Sequence, residues 1–122
     1  MISVILGKRS YLSLELKKRI KNSILINHKQ LHLLKNLRKF NLIINSFYPT
    51  SQLDKISSYE KFFQKSILNL SSILDKLPKK KINKIIYSSS ASIYNSLNDN
   101  IYLDKKNRLL YANTKIAVES LI

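Results

Sequence analysis

Four short, nearly continuous apolar runs limit what this chain can fold into. They are Ile2–Leu6, Ser23–Asn27, Asn41–Asn45 and Ile82–Tyr87. A strand that alternates apolar and polar residues has one wet face, whereas a continuous run is buried on both faces, as in a parallel sheet. Parallel neighbours need crossover connections, and the stretches between the runs suit them. Ser10–Lys21 carries Leu12, Leu14, Leu16 and Ile20 among charges, and Lys29–Lys39 carries Leu31, Leu34 and Leu37, so both are expected to be helices. Ser57–Leu77 steps its apolar residues by three and four (Phe62, Phe63, Ile67, Leu70, Ile73, Leu74, Leu77) and is expected to be a long helix that Pro78 ends. Ser46–Asp54, with Pro49, reads as a loop, Ser88–Leu110 as a mostly polar loop, and Tyr111–Ile122 as a last helix. Strand and helix alternate throughout, which predicts an α/β domain with a parallel sheet and helices on both faces. Ligands of such sheets bind beyond the carboxyl ends of the strands, so the residues after Leu6, Asn27, Asn45 and Tyr87 come under scrutiny.

Composition narrows the function classes. The chain has 122 residues, a single domain's worth, of which 44% are hydrophobic, enough for a core. Absence of cysteine excludes disulfides, thiolate catalysis and cysteine metal sites. The two histidines, His28 and His32, stand four apart with no third ligand in view, and ordinary surface histidines explain them better than a metal pair. The formal net charge is +15, with one tight lysine run at Lys79–Lys81. Such charge can serve nucleic acid or an anionic membrane. The lysines are nevertheless spread over every segment, and Lys, Ile, Asn and Leu dominate together, so compositional drift outweighs a nucleic-acid role. No stretch reaches the roughly 20 apolar residues of a membrane span. The apolar start lacks a basic leader and reads as a strand, which points to a cytoplasmic protein.

Three motifs could carry chemistry. After the first strand comes Gly7-Lys8-Arg9-Ser10-Tyr11-Leu12-Ser13. It keeps Gly-x-x-Gly-x-x-Gly spacing, with Ser10 and Ser13 in the second and third places. A dinucleotide site needs glycines here so that backbone amides approach a pyrophosphate at a helix N-terminus. A plain turn between strand and helix also accounts for a lone glycine. Beyond the fourth strand, Ser88-Ser89-Ser90-Ala91-Ser92 sets hydroxyls at the mouth of the sheet, or simply opens a polar loop. The third is Tyr111-Ala112-Asn113-Thr114-Lys115, whose spacing of four puts phenol and ammonium on one helix face. The ammonium favours the phenolate, and a phenol tuned this way can exchange a proton with a substrate hydroxyl. Tyr102 and Lys106 match the same spacing but lie in a charged segment that is a poor helix start.

In this order and spacing, the glycine turn, Asn-Leu-Ile-Ile-Asn-Ser, the long helix, Lys-Ile-Ile-Tyr-Ser-Ser-Ser-Ala-Ser-Ile-Tyr and Tyr-Ala-Asn-Thr-Lys-Ile-Ala-Val-Glu together resemble the extended short-chain dehydrogenase/reductase family, of the NAD(P)-dependent sugar-nucleotide epimerase/dehydratase type. The resemblance covers essentially the whole chain. It implies that residues 1–122 form an incomplete NAD(P)-binding Rossmann-like domain, a three-layer parallel sheet that stops before the family's C-terminal substrate domain. It makes Tyr111 the catalytic acid/base, with Lys115 lowering its pKa and holding the nicotinamide ribose, and Ser90 the catalytic serine. Ser92 joins Ser90 on the substrate side. Gly7, Arg9, Ser10, Tyr11 and Leu12 would form the pyrophosphate turn, with Ser13 at the third glycine position. Asn27, Asn45, Ser46, Phe47 and Ser88 would line the rest of the cofactor cleft. The position where the family often has asparagine on the long helix is Ser66. The implied partners are a nucleotide-linked sugar, in the complete enzyme, and a second copy in a homodimer. No carboxylate stands in Asn27-His28-Lys29 to hold an adenosine 2′-hydroxyl, while Lys8 and Arg9 sit in the turn, so NADP is favoured over NAD. Epimerisation, dehydration and reduction are not distinguished. Two other readings stand beside this one: a degenerate, non-catalytic dinucleotide-binding or interaction protein, and a small basic nucleic-acid binder.

Overall fold

The computed structural model describes residues 1–45, 59–88 and 113–122. The chain divides into two compact units, Met1–Phe47 with Ser72–Ser88 and Tyr48–Ser71 with Ser89–Ile122.

The first unit is an α/β fold around a four-stranded sheet. Its strands are β1 (Ile2–Leu6), β2 (Ser23–Ile26), β3 (Phe40–Ile44) and β4 (Ile82–Tyr87), in spatial order β2-β1-β3-β4. Every neighbouring pair is parallel, as the continuous apolar runs predict. Burial follows the same logic: Val4, Ile5, Leu6, Leu42 and Ile44 are fully enclosed in the two central strands, while the edge strand β4 keeps no buried residue. Phe40, expected just outside its strand, is the first residue of β3, where its ring is fully buried.

Between β1 and β2 runs α1 (Tyr11–Arg19), a residue or two shorter at each end than its apolar pattern suggests. Lys29–Lys39, expected to be an ordinary helix, is instead a 3-10 helix over His28–Asn36. The sequence contains the reason. Leu31, Leu34 and Leu37 repeat every three residues, and a 3-10 helix stacks i and i+3 on one line. Leu31 and Leu34 are buried, whereas Leu33, off that line, is exposed. Asn27 fixes the start: its Oδ1 accepts from Lys29 N at 2.9 Å and its N–H donates to Gln30 Oε1 at 3.1 Å.

The long helix α2 spans Tyr59–Lys76, and its buried positions Phe62, Ser66, Leu70 and Ile73 follow one apolar stripe as expected, with buried Leu77 just past its end. A single 3-10 turn at Lys79–Lys81 leads into β4. The expected last helix is seen over residues 113–119 (α3), with Thr114, Lys115 and Val118 buried. The loops expected at Ser46–Asp54 and around Ser89–Leu110 lie outside the described residues. No described helix is long and apolar enough to cross a membrane.

Candidate functional site

In the order β2-β1-β3-β4 the chain goes one way from β1 to β2, then returns past β1 to β3 and continues the other way to β4. The connections leaving β1 and β3 therefore head for opposite edges of the sheet, which makes the carboxyl ends of these two strands a topological switch point, the place where open α/β sheets take their ligands. Register fixes what borders it. Leu6 is opposite both Ile26 and Ile44, and Ile44 is opposite Tyr87, so the four strands end level. The next residues, Asn27, Gly7, Asn45 and Ser88, form a row along this edge. The ladder continues into it, since Gly7 N donates to Ile26 O, Asn45 N to Leu6 O and Ser88 N to Ile44 O, all at 2.9–3.1 Å.

Gly7 is required at its place for two independent reasons. Its φ is +122°, in a region that side chains disfavour. A Cβ here would also lie 2.5 Å from the backbone oxygen of Asn45 and 3.3 Å from Ser13 Oγ. Ser10 N closes the turn on Gly7 O at 2.9 Å, and α1 begins at the next residue.

The first turn of α1 is open to an anion. Ser10 occupies the N-cap position but makes no side-chain cap, and the first turn carries no acidic residue. The N–H groups of Tyr11, Leu12 and Ser13 have no carbonyl one turn earlier to bond, and the helix dipole adds partial positive charge there. Lys8 and Arg9, both exposed, stand beside them.

The Ser10 hydroxyl is engaged elsewhere. The Asn45 side chain donates from Nδ2 to Ser10 Oγ at 2.7 Å and to Ser13 Oγ at 3.0 Å. One amide thus clasps the end of β3 to the start of α1 at the switch point. Ser13 is fully buried, so this bond satisfies an oxygen that water cannot reach. The sequence contains all three residues as separate candidates; their union spans 32 to 35 positions of chain, and no local pattern announces it.

Of the expected site residues, Gly7, Arg9, Ser10, Tyr11, Leu12, Asn27, Asn45 and Ser88 thus belong to one edge of the sheet. Asn27 is at least partly committed there to capping the 3-10 helix. Ser46, Phe47, Ser90, Ser92 and Tyr111 lie outside the described residues. Lys115 belongs to the second unit, where it is only 5% exposed on α3. Burial lowers its pKa to about 8, against the opposing pull of Glu119 one turn on. In the same unit Ser66 is buried with a hydroxyl that has no hydrogen-bond partner among the described residues. His28 and His32 are both exposed, and no group of three or more metal-ligating side chains occurs among the described residues.

Compared with known proteins, the chain matches no family model and no curated sequence.

Proposed function

We propose that this chain is the NAD(P)-binding part of an oxidoreductase or isomerase acting on a nucleotide-linked sugar, with the three-layer Rossmann-like architecture of the short-chain dehydrogenase/reductases. One observation carries the reading. A turn that only glycine can make leads into an uncapped helix N-terminus free of acid, at the switch point of a parallel sheet. A dinucleotide's pyrophosphate needs that combination of close backbone approach and free N–H donors.

The residues present fit such a cofactor. The exposed Tyr11 and Leu12 amides would take the pyrophosphate, with Lys8 and Arg9 adding positive charge. The adenosine side would meet Asn27, His28 and Lys29, which offer no carboxylate, so NADP is preferred to NAD. When bound, the nicotinamide supplies the hydride acceptor or donor. This chain's own part is the proton: Tyr111 takes it from the sugar hydroxyl, Ser90 orients that hydroxyl, and the Lys115 ammonium favours the phenolate. With a pKa of about 8, Lys115 is still mostly protonated at neutral pH and can do so.

Titrating the chain with NADPH and NADH and following nicotinamide fluorescence tests the proposal. Saturable enhancement, tighter for NADPH, is expected. Tighter NADH binding overturns the choice of NADP, and an unchanged spectrum with both overturns the cofactor site. The second outcome would favour the degenerate scaffold, for which the Asn45 clasp speaks: it places two serine side chains where the family has bare backbone.

A further inference from the structure

The edge of the sheet opposite the switch point concentrates the molecule's charge. All four strands are parallel, so every connection that ends before a strand ends at the amino edge. The connection into β2 delivers Lys17, Lys18, Arg19 and Lys21 there, and the Lys17 ammonium holds the carbonyl of Ser23, the first residue of that strand. The connection into β3 delivers Lys35, Arg38 and Lys39. The connection into β4 delivers Lys76, Lys79, Lys80 and Lys81, and Lys81 Nζ donates to Lys35 O, tying two of the three connections together. Eleven cations thus share one rim. Three strand spacings of about 4.8 Å make its long dimension about 14 Å.

Little opposes this charge. The six residues before each of these strands contain no carboxylate; Glu15 and Asp75 stand just before those stretches, and Glu15 is already paired with Lys18 at 2.6 Å. Helix dipoles explain part of the pattern, because cations are favoured in a last helical turn, where Lys17, Lys18, Arg19 and Lys76 lie. They do not explain Lys21, Arg38 and Lys39, which lie beyond the helix ends, or Lys79–Lys81, which make only a single 3-10 turn with little dipole of its own. Drift toward lysine would load both edges alike. By sequence, the six residues before β2, β3 and β4 hold all eleven, whereas the six residues after each of the four strands hold three, Lys8, Arg9 and Lys29.

We infer that this rim is a docking surface for the phosphate backbone of nucleic acid, separate from the cofactor site. A lipid surface fits less well, because membrane-bound basic faces carry an apolar wedge beside the charge. The exposed apolar side chains of this unit are mostly elsewhere: Tyr11, Leu12 and Leu14 are in the first half of α1, Ile86 is near the carboxyl end of β4, and Met1 and Leu33, which come nearest the amino edge, are single side chains and no wedge. The rim also lacks an exposed aromatic ring for stacking unpaired bases, since its one ring, Phe40, is fully buried. The ligand is therefore a duplex, bound without reading its sequence.

The test is fluorescence anisotropy of a labelled random-sequence duplex with the full chain across about 50 to 200 mM salt, where a protein that neutralises about six to ten phosphates loses about 10³- to 10⁵-fold in affinity. The rim variant R38Q/K39Q/K79Q/K80Q should flatten the plot of log affinity against log salt by about 0.9 for each phosphate it no longer neutralises. The control variant K29Q/K61Q/K65Q/K84Q, with as many charges removed elsewhere, should keep nearly the parental slope. Circular dichroism checks that both fold, and NADPH titration of the rim variant should be unchanged. Equal flattening in the two variants overturns the inference, because attraction would then follow net charge alone. It also fails if no duplex is bound at about 50 mM salt, or if vesicles with about 30% phosphatidylserine bind more tightly than duplex at equal ionic strength.

Discussion

Gly7 is where local backbone and tertiary contact impose the same demand. Its positive φ and the Asn45 oxygen 2.5 Å from any Cβ both exclude a side chain. Gly7→Ala should destabilise the fold by at least the about 1–3 kcal/mol of a strained backbone, seen as a lower urea midpoint. An unchanged midpoint would mean that the turn relaxes freely and is no rigid cradle. Ser66 makes the opposite case: its buried hydroxyl has no partner among the described residues, so Ser66→Ala should leave stability equal or raised. A cost of more than about 1 kcal/mol would reveal a hydrogen bond to that hydroxyl. Lys115 costs the fold something too. Its pKa is about 8 when folded against 10.5 when free, so the native state resists the charged form. Below pH 8 both states are protonated and the cost is full. Between pH 8 and 10.5 the unfolded chain binds more protons, so this contribution to stability rises with pH, then levels off. Lys115→Met should therefore be more stable than the parent at pH 7, by up to about 3 kcal/mol, with the gap closing near pH 10.5. Urea unfolding of both at pH 7 and pH 10 reads this out, and a pH-independent gap would refute it. A lysine kept at such a cost suits a functional role better than a structural one.

Elements were legible in the sequence wherever burial alone decides them. The two central strands stand close to their apolar runs because a residue enclosed on both faces has no alternative to being apolar; β4 matches its run too, although none of its residues is buried. The 3-10 helix was not legible as such, since leucines three apart also fit an ordinary helix if Leu33 is counted with them; its exposure shows that it should not be. What selects the tighter helix is the cap at Asn27 together with the three-residue leucine repeat, whose Leu31 and Leu34 are buried. The candidate site was legible as positions and not as contacts. Strand ends point to Gly7, Asn45 and Ser88, but that Asn45 reaches Ser10 and Ser13 depends on β3 lying beside β1, which no local pattern states. Asn27→Ala tests the local part. It removes the acceptor for Lys29 N and should cost about 1 kcal/mol, with a lower melting temperature and no change in the sheet signature by circular dichroism. A cost near zero would mean that β3 alone holds the segment in place.

For the whole molecule, charge is where sequence and fold diverge most. Along the chain the lysines look evenly scattered; in space, parallel topology returns the end of each connection to one edge. The arrangement opposes itself, because a net charge of +15 favours expansion over compaction. Most of the rim is within about 14 Å, comparable to the Debye length of about 10 Å at 0.1 M salt and well beyond the about 3 Å at 1 M. Added sodium chloride should therefore raise the melting temperature, most steeply below about 0.1 M, where neighbouring rim charges still sense one another. The variant R38Q/K39Q/K79Q/K80Q should begin from a higher melting temperature at low salt and gain less as salt is added. The variant K29Q/K61Q/K65Q/K84Q, with the same net charge, separates the two possible origins of the effect. If repulsion is concentrated at the amino edge, this control should keep most of the parental salt response, and scanning calorimetry in dilute and concentrated chloride should rank the three proteins in that order. Identical salt responses from the two variants would show that the fold disperses its charge as evenly as the sequence does.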